Sequence, residues 1–203
     1  MRTRQWLAAA GIIAACGTAT AGMSAADPTP GVSPDAIDTL ILPIDQAKPR
    51  MDYTTVAQAP SPSTSTDKGG PNPAAPCYYD ALQPDAAELF GGGLQAFRDV
   101  RYTGAGNVFI NQAIGVYPDA AAAAAVVGRF TDGLSACRAS APAGLTVGSL
   151  DPAGAAWWGS ICADEVRAVR NVVIRVQACH MNDPAGDVAS VVDAISAKVT
   201  GAA

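Results

Sequence analysis

CADEVRAVRNVVIRVQAC, residues 162–179, decides the reading of this chain. On either side of Arg170-Asn171 the run is rich in Val, Ile and Ala and free of Pro and Gly, the composition of two strands joined by a tight reversal. A turn at that point sets Val169 against Val172 and, counting outward, Cys162 against Cys179. Directly opposed residues of an antiparallel pair have the Cα separation that a disulfide needs. The same register puts Asp164 diagonally from Arg175, within reach of an ion pair. The first strand is read from Trp157 to Val169 and the second from Asn171 to Cys179.

With Cys16 set aside, four cysteines remain, at 77, 137, 162 and 179, and four allow three pairings. The hairpin ranks Cys162 with Cys179 first and leaves Cys77 for Cys137. In the chain-entropy model the smaller loop contributes about 3 kcal/mol and the larger roughly 4 kcal/mol. A zinc site is excluded by the ligand set: Cys-x-x-Cys is absent and His180 is the one histidine of the chain, so neither a Cys₂His₂ nor a His-rich set can be assembled. A thioredoxin-like site fails for the same reason.

Working upstream, Phe97–Tyr102 and Val108–Tyr117 are β-rich runs separated by Thr103-Gly104-Ala105-Gly106-Asn107, a connection suited to a hairpin. Pro118-Asp119 opens an Ala-rich helix in which Val126, Val127, Phe130, Leu134 and Cys137 recur at three- and four-residue spacing. Downstream, Asp183-Pro184 opens a last helix with Val188, Val191, Val192, Ile195 and Val199 on one face. The order strand, strand, helix, strand, strand, helix predicts an α+β domain: a mostly antiparallel sheet with helices packed on one face and two disulfides.

The front of the chain reads as an export signal. Arg2 and Arg4 precede Trp6–Ala15, ten residues that are apolar or Gly, too short a run for a membrane-spanning helix but suited to the h-region of a signal peptide. Two cleavage readings stand side by side. Ser24-Ala25-Ala26 is a small-residue site, giving a signal peptide over 1–26; Ile13-Ala14-Ala15-Cys16 looks like a lipobox, which would make Cys16 a lipid anchor. Residues 27–38 read as an extended segment. Thr39–Ile44 is an apolar cluster, with a short helical turn after Pro43 that Pro49 ends. Residues 59–76 are rich in Pro, Ser and Thr and hold too little apolar surface to order themselves, so they form a loop inside a domain running over 39–203.

Of the 203 residues 49% are hydrophobic and 15% charged, a globular composition. Thirteen Lys and Arg against eighteen Asp and Glu leave a net charge of −5, and no basic face for phosphates, which argues against nucleic acid as a partner. A Ser-His-Asp triad would have to use His180, yet Gly-x-Ser-x-Gly is absent. Carboxylates for a hydrolase would come from Asp164, Glu165, Asp183 and Asp187. Asp164 has Arg175 to pair with, Asp183 stands where a helix N-cap belongs, and Asp187 falls in the first helical turn, where the macrodipole favours an acid. Gly91-Gly92-Gly93 is not followed by Gly-Lys-Ser/Thr and reads as a turn, not a phosphate loop. Trp157 and Trp158 point to opposite faces of the sheet by alternation, so that one ring joins the core and the other is available to a ligand. Tyr78 and Tyr79 beside Cys77 are further aromatic candidates for a ligand cleft.

The sequence resembles the PknH-like extracellular sensor domains, found outside the membrane on actinobacterial receptor Ser/Thr kinases and as secreted or lipid-anchored proteins. The resemblance spans about Thr39 to Val199. It is carried by the spacing of the four cysteines and by Asn111-Gln112-Ala113-Ile114-Gly115-Val116-Tyr117-Pro118 leading into an Ala-rich helix that ends at Cys137. Trp158-x-x-x-Cys162 and the run Arg170–Cys179 before a final amphipathic helix complete it. It implies a mostly antiparallel sheet with helices, two disulfides paired as above, and a cleft for an extracellular ligand of unknown identity; it implies no catalysis and no cofactor. The function expected is therefore a non-catalytic, sensor-like ligand-binding domain of the cell envelope, secreted or lipid-anchored on the outer face of the membrane. Its partners would be an extracellular ligand and an envelope protein, with membrane contact only through a lipid on Cys16. A structural or protein-interaction module is the alternative, and a hydrolase using the carboxylates above a third.

Overall fold

The computed structural model describes residues 30–47, 56–59, 89–138 and 144–201, without the side chains of 56–59, 105, 136 and 137. Strands β2 (Ala96–Gly104), β3 (Phe109–Val116), β4 (Thr146–Asp151), β5 (Gly154–Trp158), β6 (Cys162–Val169) and β7 (Val172–Cys179) form a sheet that the short strand β1 (Val56–Ala59) extends at one edge. The order is β1-β2-β3-β7-β6-β5-β4, antiparallel throughout. Short helices α1 (Ile37–Leu40) and α2 (Ile44–Ala47) lie near the front; α3 (Ala120–Arg138) follows β3 and α4 (Pro184–Gly201) closes the domain.

Helices cover both faces of the sheet, where the sequence reading placed them on one. Val172, Ile174, Val176 and Ala178 of β7 join α4 and the front segment in one core. On the other face Val173 packs with Val166, Trp157 and residues Ala123, Val126, Val127 and Leu134 of α3. A central strand enclosed on both sides has no need for alternation, which is why Val172-Val173-Ile174 is an unbroken buried run. The helices that follow β3 and β7 pack on opposite faces, and hydrophobic period alone does not encode which face a helix takes.

The expected hairpin register is present residue for residue, from Val169 against Val172 to Cys162 against Cys179. Arg170 takes the left-handed conformation at the turn, with φ 52°, a cost of roughly 1–2 kcal/mol for a residue with a Cβ. Its guanidinium offsets that cost by donating to the carbonyls of Val199 and Thr200 at 3.1 and 2.9 Å, capping the C-terminus of α4. At the other end of α4, Asp183 Oδ1 accepts from the Gly186 N–H at 3.1 Å, as an N-cap should. Asp119 does the same for α3, accepting from the Ala122 N–H at 2.8 Å.

The stretch read as one strand, Trp157–Val169, is two. Gly159-Ser160-Ile161 reverses the chain, and β5 pairs back on β6 with Trp158 against Ala163. Strand β4, which the sequence reading missed, pairs with β5 through a turn in which Asp151 Oδ1 accepts from the N–H groups of Ala153 and Gly154.

The front segment crosses the α4 face and is pinned by side chains far away in sequence. Buried Asn171 accepts from the Val32 N–H at 2.7 Å and donates to the Val32 and Tyr117 carbonyls at 3.0 and 2.8 Å. Gln112, enclosed in the core, accepts from the Leu42 N–H and donates to the Leu42 carbonyl, both at 3.0 Å, and the Tyr102 hydroxyl donates to that same carbonyl at 2.9 Å. Lys198 donates to the carbonyls of Thr39 and Ile41, and Arg98 pairs with Asp38. Val32, Ile37, Leu40 and Leu42 are thereby part of the core.

Candidate functional site

Helix α3 lies over β4 to β7. From beneath it toward β2, the same face of the sheet carries polar side chains in register. Trp157 stands against Asp164, Asp164 against Gln177, Gln177 against Asn111, and Asn111 against Arg101. With strands about 4.8 Å apart, the row from Asp164 to Arg101 spans roughly 14 Å. A second row on the same face holds Val166, Arg175, Ala113 and Asp99. Asp99, Asp164 and Arg175 are only 7%, 4% and 8% exposed.

Arg175 fills the role the hairpin register assigned to it. Its Nη2 and Nε donate to Asp164 Oδ1 at 2.9 and 3.2 Å, while Gln177 Nε2 donates to Oδ2 at 3.0 Å. Burial pushes the Asp164 carboxyl up from its usual value, against the pull of the Arg175 guanidinium and the hydrogen bonds from Gln177 and Arg175. At the β2 end of the row the Arg101 guanidinium sits 3.7 Å from the centre of the Phe109 ring, a cation–π contact that holds a positive charge beside the polar floor. Above β3, Phe90 covers Gly115, where any Cβ would come within 2.7 Å of the Phe90 and Leu94 side chains. The Tyr117 hydroxyl fixes that lid by donating to the Phe90 carbonyl at 2.6 Å. Burial lifts the Tyr117 phenol to about 12.

Cys162 and Cys179 are joined, at the end of β6 and β7 nearest His180. Cys77 lies outside the described residues and Cys137 is described only as a position in α3, so one of the two expected bridges is shown. Cys16, Tyr78 and Tyr79 also lie outside the described residues. The tryptophans part as alternation required. Trp157 is buried beneath α3 with its ring 5.0 Å from that of Phe130; Trp158 is half-buried on the α4 face. Two rings on opposite faces do not line one cleft. His180 is exposed, with φ 58°. Among the described residues no group of three or more His, Cys, Asp or Glu is placed to hold a metal ion.

The sequence reading singled out Asp164 and Arg175 but missed Asp99, Asn111, Gln177 and Arg101. Their signal was present in the alternation of β2, β3 and β7. It becomes visible only when the register of four strands is known together.

A disulfide-bridged α+β sheet domain with helices on both faces suits an oxidising compartment. The chain belongs to the PknH-like extracellular domain family, whose model matches residues 32–198. Among solved structures it is similar to the crystal structure of the extracellular domain of PknH from Mycobacterium tuberculosis. The two share 22% identity, with a TM-score of 0.61, over 83% of this chain and 98% of that one; at this identity the likeness speaks for the fold. A search of curated proteins finds no match. Among the described residues no helix is long and apolar enough to cross a membrane.

Proposed function

We propose that this chain is a non-catalytic, sensor-like recognition domain of the cell envelope, binding a polar extracytoplasmic ligand along Gln177, Asn111 and Arg101, with buried Asp164 behind them holding the Gln177 amide. The observation that carries this reading is the row itself: donors and acceptors in register from buried Asp164 on β6, which α3 covers, through half-buried Gln177 and Asn111 to exposed Arg101 on β2. A row of this kind contributes nothing to a hydrophobic core and is suited to fixing the orientation of a bound molecule. Recognition is favoured over turnover because the best-placed carboxylate is fully engaged. Both oxygens of Asp164 accept hydrogen bonds, from Arg175 and Gln177, which removes it as a free base. Asp183 is likewise occupied as a helix cap.

In this reading the domain is released outside the cell or held at the membrane through a lipid on Cys16. Intact mass of the mature protein from its host distinguishes the two. Equilibrium binding against envelope lipids, glycans and peptidoglycan fragments tests recognition. A ligand whose affinity falls at least tenfold in both Asn111→Ala and Gln177→Ala is expected. The absence of any ligand across that panel, or one indifferent to both substitutions, overturns the proposal.

A further inference from the structure

The opposite, α4 face has an open area of its own at the β4–β5 edge. Helix α4 lies over β6 and β7 and barely reaches β5. Beyond it the sheet carries small residues: Ala156 on β5, and on β4 Gly148, where a Cβ would collide with the six-membered ring of Trp158. Glycine there lets the six-membered ring of the indole close on the backbone of β4. One strand inward, Glu165 faces Ala156 directly and Trp158 diagonally, a separation of about 7–8 Å.

Two hydrogen-bonding atoms at this place are unused. Both bonds accepted by Glu165 fall on Oε1, from Arg167 Nε and Nη2. Among the described residues neither Glu165 Oε2 nor Trp158 Nε1 has a hydrogen-bond partner, and neither is sealed from solvent. Glu165 is nevertheless only 8% exposed. Arg167 also binds Asp193 of α4 at 2.6 Å, which fixes the guanidinium and leaves the group of two carboxylates and one cation with a net negative charge.

From this arrangement we propose that the Trp158–Glu165 shelf binds one neutral pyranose unit of a glycan. The indole supplies a flat apolar plate for the C–H face of the sugar ring. Its N–H offers a donor, and Glu165 Oε2 an acceptor for a ring hydroxyl, at a separation that one pyranose spans. The excess negative charge selects against sulfated, phosphorylated and uronic sugars. This site is separate from the polar row on the α3 face, and the two stand or fall independently.

The test follows the Trp158 indole N–H signal by ¹H–¹⁵N NMR of the full chain. It is titrated with a neutral β-1,4-linked N-acetylglucosamine tetrasaccharide, a neutral α-1,4-linked glucose tetrasaccharide and an anionic galacturonic acid tetrasaccharide. At least one neutral saccharide is expected to shift the signal saturably, with the anionic one at least tenfold weaker. Affinity should fall at least fivefold in Glu165→Gln by the same signal and vanish in Trp158→Ala, where the backbone amide signals of β4 and β5 serve as the readout in place of the lost indole. An unmoved signal with both neutral saccharides up to 10 mM, on the order of the weakest affinity worth the name, overturns the proposal. So does tighter binding of the anionic saccharide, or binding that survives Trp158→Ala. Because the wild-type signal is itself a readout, a variant that fails to fold does not spare the proposal.

Discussion

Replacing Asn171 by alanine removes the clamp that holds the front segment against the hairpin turn. The side chain makes three hydrogen bonds, to the Val32 N–H, the Val32 carbonyl and the Tyr117 carbonyl, and is 4% exposed. A buried group left without its partner costs about 1–3 kcal/mol, but the cavity left by the amide is polar and able to admit a water that recovers part of this. The net expectation is a loss of about 3 kcal/mol, more than a hundredfold in the folding equilibrium and a large share of the roughly 5–15 kcal/mol by which such domains are stable. For a domain of this size that lowers Tm by about 6–12 °C. Urea unfolding followed by far-ultraviolet circular dichroism and tryptophan fluorescence measures it, with the midpoint falling and the slope unchanged. Gly31→Ala perturbs the same contact from the other side, since its Cβ would lie 2.8 Å from Asn171 Cγ. The double variant should lose less than the sum of the two single losses. A change below about 0.5 kcal/mol in Asn171→Ala, the range of an ordinary surface substitution, would refute the view that this amide pins the segment.

In an alkaline titration followed at the phenolate absorbance, Tyr117 is expected to stay protonated until about pH 12; ionisation of every tyrosine near 10 would contradict its burial. The raised Asp164 and Glu165 carboxyls bind more protons in the folded than in the unfolded chain over the interval above about pH 4. Their contribution is complete below the unfolded value and is lost as pH rises through the folded one. Subtracting the stability–pH curve of Asp164→Asn from that of the wild type should therefore leave a fall with rising pH, and a rise would reverse the sign argued here. Removing the Cys162–Cys179 bridge, with its sequence separation of 17, by the double alanine variant should cost about 3 kcal/mol in urea unfolding; non-reducing peptide mapping that finds the two sulfurs free would undo the premise.

What could be read from the sequence was local. A two-residue turn between β-branched runs leaves one register, so the Cys162–Cys179 pair and the Asp164–Arg175 ion pair both followed from residue numbers alone. The valine stripe of α4 was equally plain. Strand β4 was hidden because a half-exposed edge strand carrying Gly148 has neither the alternation nor the apolar content of a core strand. Strand β5 was absorbed into its neighbour because Gly159-Ser160-Ile161 is a weak break between two apolar runs. The polar row and the Trp158 shelf depend on which strands become neighbours, a property of the topology that no stretch of sequence contains. The clamps by Asn171 and Gln112 were invisible for the same reason, as their partners lie 139 and 70 residues away.

Those long separations also govern the order in which the molecule can be completed. Leu42 has no receptor until Gln112 exists, Val32 none until Asn171, and the carbonyls of Thr39 and Ile41 wait for Lys198 near the end of the last helix. A ribosome that has made only the first half has made a chain with nothing to close upon, and closure of contacts so distant is intrinsically slow. Until the final turns are synthesised, the front segment lacks the last of the contacts that close it over the sheet.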